Sequence, residues 1–355
     1  MRLFRHHTEI PVEARNAVVA LGNFDGVHRG HQAVIGTAQA KARELGTGAA
    51  VLTFEPHPRE FFKPGQPSFR LTPLRIKVRQ LEAMGVDDLF VLPFGPRLAQ
   101  MSAEAFVIEV LVEGLAAQHV VVGYDFVFGR ERRGNAALLA DLGKLHGLGV
   151  TSVAAAASDQ GEVYSSTKIR EHLQAGRPMS ATALLGRPWE IEGRVEHGDR
   201  RGRQLGFPTA NIAIGDYLEP RLGVYAVKAG IDMGAATRWV DGVANLGRRP
   251  TVGGTRVQLE VHLFDVALDL YGRHLRVAFI DFLRPEMKFA GLDALKAQIA
   301  QDSARAREIL AAYAGPDPGA SPRPALKAPE NEASPGDVYD RALRPKIRPK
   351  ISSNH

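Results

Sequence analysis

The chain has 355 residues, 45% of them hydrophobic, and it contains no cysteine. This size and composition predict a globular protein of two domains, and the lack of cysteine excludes disulfides and thiol catalysis. Part of the net charge of +6 lies in the basic stretch Arg341–His355, so the excess in the rest of the chain is modest. Such an excess suits small anionic ligands as well as RNA. Without a signal segment or a membrane-length apolar run in the sequence, we expect a cytoplasmic protein with no membrane partner.

Short apolar runs alternate with helical patterns up to about residue 155. The predicted strands are Ala17–Leu21, Val51–Phe54, Asp88–Leu92 and His119–Gly123, and the predicted helices are Gly30–Leu45, Leu74–Met84, Ala103–Val112 and Ala136–His146. Strands and helices in alternation form a parallel sheet that is covered on both faces. The predicted fold class of this part is therefore α/β, and its ligands should gather at the carboxyl ends of the strands.

The turn after the first of these strands is the most informative motif. Gly22, Gly26 and Gly30 allow the backbone to approach a ligand, and the pattern places His28 and His31 in the first turn of the next helix. Free backbone N–H groups and the helix dipole favour an anion there. Such a turn predicts a phosphate site, where imidazole donors can stabilise charge on a phosphoryl group in transfer.

A metal site and a dinucleotide site are weaker interpretations of this turn. Two histidines can ligate a metal, but no third histidine or cysteine follows at ligand spacing. The Gly-x-Gly-x-x-Gly pattern of dinucleotide sites and the Gly-x-x-x-x-Gly-Lys-Ser/Thr pattern of P-loops are both absent.

Three further motifs lie at the ends of predicted elements. Thr53–Pro58 ends a strand in a stiff proline turn that holds His57 at the same sheet edge, and Gly123–Gly129 follows another strand and contains Asp125. In Ser165–Arg170, three consecutive hydroxyl side chains precede an arginine that can grip an anion with two donors. Simple capping of a helix would also account for these hydroxyls.

After residue 178 the pattern changes to shorter strands that are separated by glycine turns. The predicted strands are Trp189–His197, Gly223–Ala229, Trp239–Asn245, Val257–Asp265 and Leu275–Phe282. They predict a small antiparallel β-barrel, closed by a helix over Leu292–Tyr313. The stretch from Gly315 onward is rich in proline and poor in hydrophobic residues, which predicts a disordered tail over residues 314–355.

Two motifs of the barrel point to chemistry. The glycine-rich loop Gly198–Asn211 ends in Thr209 and Asn211, which can face the same way and offer hard oxygen ligands to Mg²⁺. In the strand Val257–Leu263 the apolar residues share one face, which leaves Glu260 on the other. A carboxylate inside a small barrel, or at its mouth, is a candidate general base, although an exposed strand face accounts for this glutamate equally well.

Taken in order, these motifs resemble those of the bacterial bifunctional riboflavin kinase/FAD synthetase family. The adenylyltransferase half of that family is similar to Gly22–His31, Thr53–Pro58, Gly123–Gly129 and Ser165–Arg170, and its kinase half to Gly206–Asn211, Gly223–Tyr225, Asn245–Thr251 and Glu260–Asp265. The resemblance implies a Rossmann-like nucleotidyltransferase domain over residues 1–178, then an antiparallel β-barrel kinase domain with a C-terminal helix over residues 183–313. It implies that ATP phosphorylates riboflavin to FMN and ADP, and that ATP and FMN then give FAD and diphosphate.

The resemblance also implies roles for single residues. In the first domain, His28, His31 and Arg170 would be catalytic, and the residues that bind ATP or flavin would be Gly22, Asn23, Phe24, Asp25, Gly30, His57, Asp125, Ser165, Ser166 and Thr167. In the barrel, Glu260 would take the proton of the riboflavin 5′-hydroxyl, Thr209 and Asn211 would bind Mg²⁺ and ATP, and Gly202, Gly206, Pro208 and Asn245 would complete the site. Adenylyl transfer needs no general base, because the phosphate of FMN is already anionic.

Two alternative functions stay open on the motifs. A nucleotidyltransferase that acts on another phosphate ester would share the His-x-Gly-His turn, yet it would leave the barrel motifs without a role. A non-catalytic flavin- or RNA-binding protein is suggested only by the basic composition. Class I aminoacyl-tRNA synthetases carry the same turn, but no matching Lys-Met-Ser-Lys-Ser loop is present. We therefore expect small-molecule substrates and no nucleic-acid partner.

Overall fold

The structure is a computed structural model that describes residues 1–158, 161–197, 206–233, 236–251, 254–266 and 268–319. Its main strands form two six-stranded sheets, one in each half of the chain. Most of the predicted tail and Gly202 lie outside the described residues.

The first half is built on a parallel sheet. Its strands are β1 (Arg2–Phe4), β2 (Val18–Leu21), β3 (Ala49–Glu55), β4 (Asp88–Pro93), β5 (His119–Gly123) and β8 (Gly149–Val153), and a short antiparallel hairpin is formed by β6 (Val127–Phe128) and β7 (Gly134–Asn135). All neighbours in the order β1-β4-β3-β2-β5-β8 are parallel. Strand order reverses between β2 and β5, so the carboxyl end of β2 lies at a topological switch point, where open α/β sheets bind their ligands.

Helices cover both faces of this sheet. They are α1 (Arg29–Leu45), α2 (Pro58–Phe62), α3 (Leu74–Ala83), α4 (Pro96–Gln100), α5 (Ala103–Ala105), α6 (Ala136–His146), α7 (Ser166–Gln174) and α8 (Pro178–Leu185), with a π-helix over Phe106–Gly114 and 3₁₀ turns at Val12–Ala14 and Arg130–Arg132. Val18 and Ala20 pack in one apolar cluster with α1, whereas Val19 and Leu21 pack in another with the π-helix. Burial on both faces explains why β2 is apolar at every position.

The second half is an antiparallel barrel. Its strands are β9 (Trp189–Arg194), β10 (Ala210–Ala213), β11 (Gly223–Asp232), β12 (Thr237–Thr251), β13 (Gly254–Leu263) and β14 (His274–Arg284), in the order β10-β13-β12-β11-β14-β9. The two edge strands approach each other just beyond β9, where the Glu196 N–H donates to the Asn211 carbonyl at 2.8 Å. The interior is filled by alternate apolar side chains from every strand, including Ile212, Val227 and Val261.

A last helix, α9 (Leu292–Ala311), packs on the outside of the barrel. Ala306 and Leu310 join an apolar cluster with outward-facing residues of β11, β12 and β14. A forked ion pair between Arg284 and Asp302, with a shortest distance of 2.6 Å, fixes the helix to β14. The predicted fold class, a Rossmann-like parallel sheet followed by a small barrel with a C-terminal helix, is confirmed.

Contacts between the halves are both apolar and polar. Leu71, Ile76 and Leu173 of the first half are buried in the same apolar cluster as Trp189 and Ile191 of β9. Arg79 of α3 pairs with Glu190 at 2.9 Å and also contacts Glu192, both on β9. The Trp189 indole N–H donates to the Leu71 carbonyl at 2.9 Å. The first strand of the barrel therefore supports the segment that precedes α3.

Candidate active sites

The turn between β2 and α1 has an unusual backbone. Phe24, Gly26 and Val27 have φ angles of +49°, +93° and +42°. A β-branched residue with positive φ is a genuine outlier, and such strain persists only where the surroundings hold the backbone in place. The turn lies at the switch point of the sheet, which is where the sequence predicts a phosphate site.

The two histidines of the turn stack on each other. His28 is the N-cap of α1 rather than a residue of its first turn, so that part of the sequence prediction was wrong by one position. The His31 N–H donates to His28 Nδ1 at 3.3 Å, and the two rings stack with their centres 3.6 Å apart. Burial lowers the pKa of His28 to about 3 and that of His31 well below 6.5. Both rings are therefore neutral near pH 7, and each keeps one N–H donor.

Asp25 is the centre of a buried network behind this turn. Its side chain, from a residue that is 3% exposed, accepts from the backbone N–H groups of Leu71 and Thr72 at 3.0 Å. It also pairs with Arg170 of α7 at 2.5 Å. The Thr72 hydroxyl in turn accepts from the Gly26 N–H at 2.8 Å. Asp25 thus ties three segments together, which is a structural task beside the binding role predicted for it.

The predicted hydroxyl cluster at the start of α7 is divided among different tasks. Ser165 is the N-cap of the helix and accepts from the Lys168 N–H at 3.2 Å, as simple capping requires. The Ser166 hydroxyl donates to the Asp25 carbonyl at 2.7 Å. Thr167 is exposed. The structure therefore brings Ser166 and Arg170 to the turn, and it leaves Thr167 at the surface.

The remaining predicted residues of this site lie around the same edge. The Asn23 carbonyl accepts from the Thr53 hydroxyl at 3.2 Å, and His57 caps α2, with its ring 5.0 Å from that of Phe69. Burial lowers the pKa of His57 to about 4, against the opposing charge of Asp25. Asp125 is exposed after β5, and no contact within the described residues connects it with the histidines.

The tight spacing of the turn accounts for two glycines. A Cβ on Gly22 would lie 3.2 Å from the Phe24 ring, and one on Gly30 would lie 3.1 Å from the His28 ring and 3.2 Å from the Tyr164 carbonyl. The glycines therefore make room for aromatic rings of the turn itself.

Lys77 is a residue of this site that sequence reasoning missed. It is 1% exposed, and its ammonium group donates to the Asn23 carbonyl at 2.7 Å. A signal was present, because Lys77 lies on the buried side of α3 with Ile76, Gln80 and Leu81. A cation on the apolar stripe of a helix indicates a partner in the interior.

Lys77 gives a prediction about stability. Burial lowers its pKa to about 8, so between about pH 8 and 10 the unfolded chain binds more protons than the folded one. The free energy of unfolding should therefore rise with pH in this window, by about 3 kcal/mol if this residue acted alone. Lys77→Met should lack that rise in urea denaturation at several pH values. The exposed control Lys144→Met should keep it, and equal slopes in wild type and Lys77→Met would refute the assignment.

In the barrel, three polar residues form a row across adjacent strands. Glu260 of β13 lies directly opposite Asn211 of β10 on one side and opposite Asn245 of β12 on the other. Residues opposite each other in a sheet share a face, with Cβ atoms about 5 Å apart. We call these three residues the polar row. It brings together three residues that lie far apart in the sequence, and it places Glu260 directly opposite Asn211, one of the two predicted Mg²⁺ ligands.

The polar row is on the outside of the barrel. Leu259 and Val261, the neighbours of Glu260, belong to the interior cluster, so alternation turns Glu260 outward. Of the two predicted positions for this carboxylate, the barrel interior is therefore wrong. The Arg249 Nε–H donates to Glu260 Oε1 at 2.9 Å, and the glutamate side chain stays 27% exposed. Asn245 donates to Glu286 at 3.4 Å, at the start of the segment that leads to α9.

Residues that could hold Mg²⁺ lie beside this row. Thr209 precedes Asn211 by two positions, and both line an open cleft together with the loop from Leu268 to Tyr271. The Pro208 carbonyl lies 2.9 Å from His262 Nδ1, within hydrogen-bond distance, and Gly206 has a φ of +85° that suits glycine. The described residues contain no group of three or more His, Asp or Glu side chains that could hold an ion. Mg²⁺ that arrives with ATP needs only one or two protein ligands, so a hydroxyl and an amide oxygen fit it.

Comparison with known proteins gives the family. Sequence models of FAD synthetase and of riboflavin kinase match residues 10–168 and 185–310. The chain is 43% identical over 311 residues to the bifunctional riboflavin kinase/FMN adenylyltransferase of Escherichia coli K12, a match that covers 87% of this chain and 98% of that protein. The chain belongs to this family of bifunctional enzymes. The protein of the same name from Pseudomonas fluorescens is 45% identical over 88% of this chain and 98% of its own, and that from Bacillus subtilis is 39% identical over 85% and 94%.

A solved structure supports the shared architecture. The protein called Macrolide-efflux Protein from Streptococcus pneumoniae superimposes with a TM-score of 0.76 at 30% identity, over 88% of this chain and 98% of that one. The word efflux belongs to the name of that protein and is not applied to the present chain. Across the described ranges of the present chain, no helix is both long and apolar enough to cross a membrane. The predicted family, together with its riboflavin kinase and FMN adenylyltransferase activities, is confirmed.

Proposed function

We propose that the two activities use two separate sites. In the barrel, the 5′-hydroxyl of riboflavin takes the γ-phosphoryl group of ATP, which gives FMN and ADP. At the carboxyl edge of the parallel sheet, the phosphate of FMN attacks the α-phosphorus of another ATP, which gives FAD and diphosphate. The proposal rests on one observation: the stacked His28–His31 pair lies at the start of α1 beside the parallel sheet, whereas the polar row lies on the antiparallel sheet of the barrel. We accordingly assign residues 1–178 to the second step and residues 183–313 to the first.

In the adenylyl step, the chain would act by positioning and by charge stabilisation. The attacking FMN oxygen is anionic, so no proton has to leave it. The first N–H groups of α1 and the neutral rings of His28 and His31 supply donors where negative charge builds up on the phosphate oxygens. Arg170 uses its Nε and Nη2 groups on Phe69 and Asp25, and within the described chain this leaves Nη1 for the departing diphosphate.

In the kinase step, Glu260 would act as the general base. The hydroxyl of riboflavin is a poor nucleophile until its proton is removed, and a carboxylate within hydrogen-bond reach can accept that proton. Arg249 holds one oxygen of Glu260 in place at 2.9 Å, and Asn211 and Asn245 flank the carboxylate. Because the polar row faces outward, we place the riboflavin chain on the outer wall of the barrel, on the side where Asn245 contacts Glu286.

Thr209 and Asn211 would hold Mg²⁺ together with the phosphates of ATP. When bound, the ion screens the charge of the phosphates and orients the transferred group. Asn211→Leu should raise the Mg²⁺ concentration needed for half-maximal FMN formation by about tenfold, since one of few protein ligands is lost. FAD formation from supplied FMN should not change. The matched control is Gln258→Leu, which removes an outward amide of the neighbouring strand β13. An unaltered Mg²⁺ dependence of Asn211→Leu would remove this assignment.

A direct assay tests the whole proposal. Purified chain is incubated with riboflavin, ATP and Mg²⁺, and the flavins are separated by chromatography. FMN should appear first and FAD should follow. The amount of ADP should equal the sum of FMN and FAD, and the amount of diphosphate should equal that of FAD. Supplied FMN should yield FAD without riboflavin, and the absence of either flavin product would contradict the proposal for that site.

Location and partners follow from the substrates. ATP is made and used in the cytoplasm, so we infer a cytoplasmic enzyme. Small-molecule substrates account for both candidate sites, and we infer no nucleic-acid partner from the basic composition alone.

A further inference from the structure

The connector between the domains, residues 185–189, lies against the phosphate turn of the first domain. The Gln32 side chain donates to the Leu185 carbonyl at 2.9 Å, and Arg187 donates to the Gly26 carbonyl at 2.8 Å. Trp189 reaches Leu71, whose own N–H holds Asp25. Residues 185–310 match the riboflavin kinase family, so residues that belong to the kinase by sequence touch the other site.

Arg187 is the most unusual residue of the connector. It is only 5% exposed, and its guanidinium donates to three carbonyls: to Gly26 at 2.8 Å, to Val27 at 3.3 Å and to Leu185 at 3.4 Å. Its Nε atom is buried without a partner, and no carboxylate of the described residues forms an ion pair with it. Burial lowers the pKa of Arg187 to about 10, so it remains a cation at neutral pH. A buried charge that binds only carbonyls is costly for stability, which calls for another reason for its presence.

Two of the three carbonyls that Arg187 contacts belong to Gly26 and Val27, and Val27 has a strained backbone with a φ of +42°. Backbone strain of this kind costs about 1–3 kcal/mol per residue and needs surrounding contacts to maintain it. The Val27 carbonyl receives a second donor from Gln32 at 2.8 Å. Arg187 and Gln32 therefore fix the peptide groups on both sides of Val27.

Fixing these peptides also sets the direction of the next N–H group. In a planar trans peptide, the N–H of His28 points away from the carbonyl of Val27. Since that carbonyl points toward Arg187 and Gln32, the His28 N–H points to the opposite side. We propose that Arg187, from the connector of the kinase domain, is a positioning residue for adenylyl transfer, because it holds the Gly26–Val27 peptides so that the turn presents its donors to the phosphates. This inference rests on the proposed function of the turn.

Because one chain carries both activities, FMN formation serves as the internal control for a test of FAD formation. Arg187→Met keeps much of the side-chain volume and removes the donors and the charge. We expect kcat for FAD formation from FMN to fall about 100-fold, because small displacements of positioning groups cost about that much, while KM for FMN changes little. FMN formation, measured on the same sample, should stay within about twofold of wild type. Arg187→Lys keeps the charge with fewer donors, and it should recover about tenfold of the lost kcat.

A purely structural role would give a different result. It would lower both activities in proportion to the loss of folded protein, without rescue by lysine, and that outcome would overturn the proposal. FAD formation at the wild-type rate in Arg187→Met would also overturn it. Should Arg187→Met fail to fold, Arg187→Lys decides: a lower kcat for FAD with normal FMN formation supports the proposal, and normal rates of both refute it. The exposed control Arg177→Met should match wild type in both assays. If wild type itself makes no FAD, the proposed function fails, and not this inference alone.

Discussion

Replacement of both His28 and His31 by alanine should lower FAD formation from FMN by about 10³-fold and leave FMN formation from riboflavin intact. The two rings are buried, neutral and stacked 3.6 Å apart at the switch point of the parallel sheet. Donors that are fixed before the reaction stabilise developing charge strongly, and the loss of one such donor typically costs about 10²–10³ in rate. The measurement is a pair of rate assays on one preparation, with FMN or riboflavin as the flavin substrate.

The N-cap role of His28 requires a separate control. Alanine at this position also removes the acceptor for the His31 N–H, which costs about 1 kcal/mol of stability. His28→Asn keeps a capping side chain and lacks the imidazole, so it should remain as stable as wild type and still lose FAD formation. The exposed pair His6→Ala/His146→Ala should keep both activities. Equal loss of both activities in His28→Ala/His31→Ala would contradict the assignment of this step to the first domain.

Local patterns predicted the elements that carry the adenylyl site, because that information is close together in the chain. The buried strand that became β2, the glycine turn and the start of α1 occupy consecutive residues, and burial on both faces leaves a continuous apolar run. The short strand β1 was not predicted, since three residues carry no periodic signal. Neither was β8, whose polar Thr151 and Ser152 interrupt the pattern.

The residues that the sequence did not reveal act across long distances in the chain. Lys77 reaches Asn23 over 54 positions, and Arg187 reaches Gly26 over 161 positions. Each lies in a segment that looks ordinary, a helix in one case and a connector in the other. Their roles are visible only in the folded structure, because a cation that is buried must donate to acceptors such as backbone carbonyls, whereas an exposed cation donates to water.

The barrel illustrates another limit of sequence patterns. Alternation in β13 correctly separated Glu260 from Leu259 and Val261. Period-two alternation defines two faces but does not say which of them is the interior. The interior is set by the apolar residues of the five other strands together with those of β13. The pattern of β13 alone therefore left the inside of the barrel open as a position for Glu260, and the packing of all six strands places it on the outer wall.

Glu260→Gln should abolish FMN formation, with a loss of about 10²–10⁴-fold in kcat, while supplied FMN is still converted to FAD. Glutamine has nearly the same shape and can still contact Arg249, but it cannot take a proton from the riboflavin hydroxyl. The substitution therefore separates proton transfer from packing. Rates of FMN and FAD formation on the same sample, together with riboflavin binding measured by fluorescence, would show a loss in the chemical step with binding retained.

The chain offers a closely matched control for this substitution. Glu219 is 35% exposed and pairs at 2.5 Å with Arg248, the neighbour of Arg249 on β12, whereas Glu260 is 27% exposed and pairs with Arg249 itself. Glu219→Gln removes a charge that is paired with the same strand of the barrel, and it should keep FMN formation within about twofold of wild type. If both variants lose FMN formation alike, the reaction depends on the negative charge of the outer barrel wall and not on Glu260 as a general base. If Glu260→Gln keeps its kinase activity, the proton leaves the hydroxyl by another route, and the polar row serves to bind ATP or riboflavin instead.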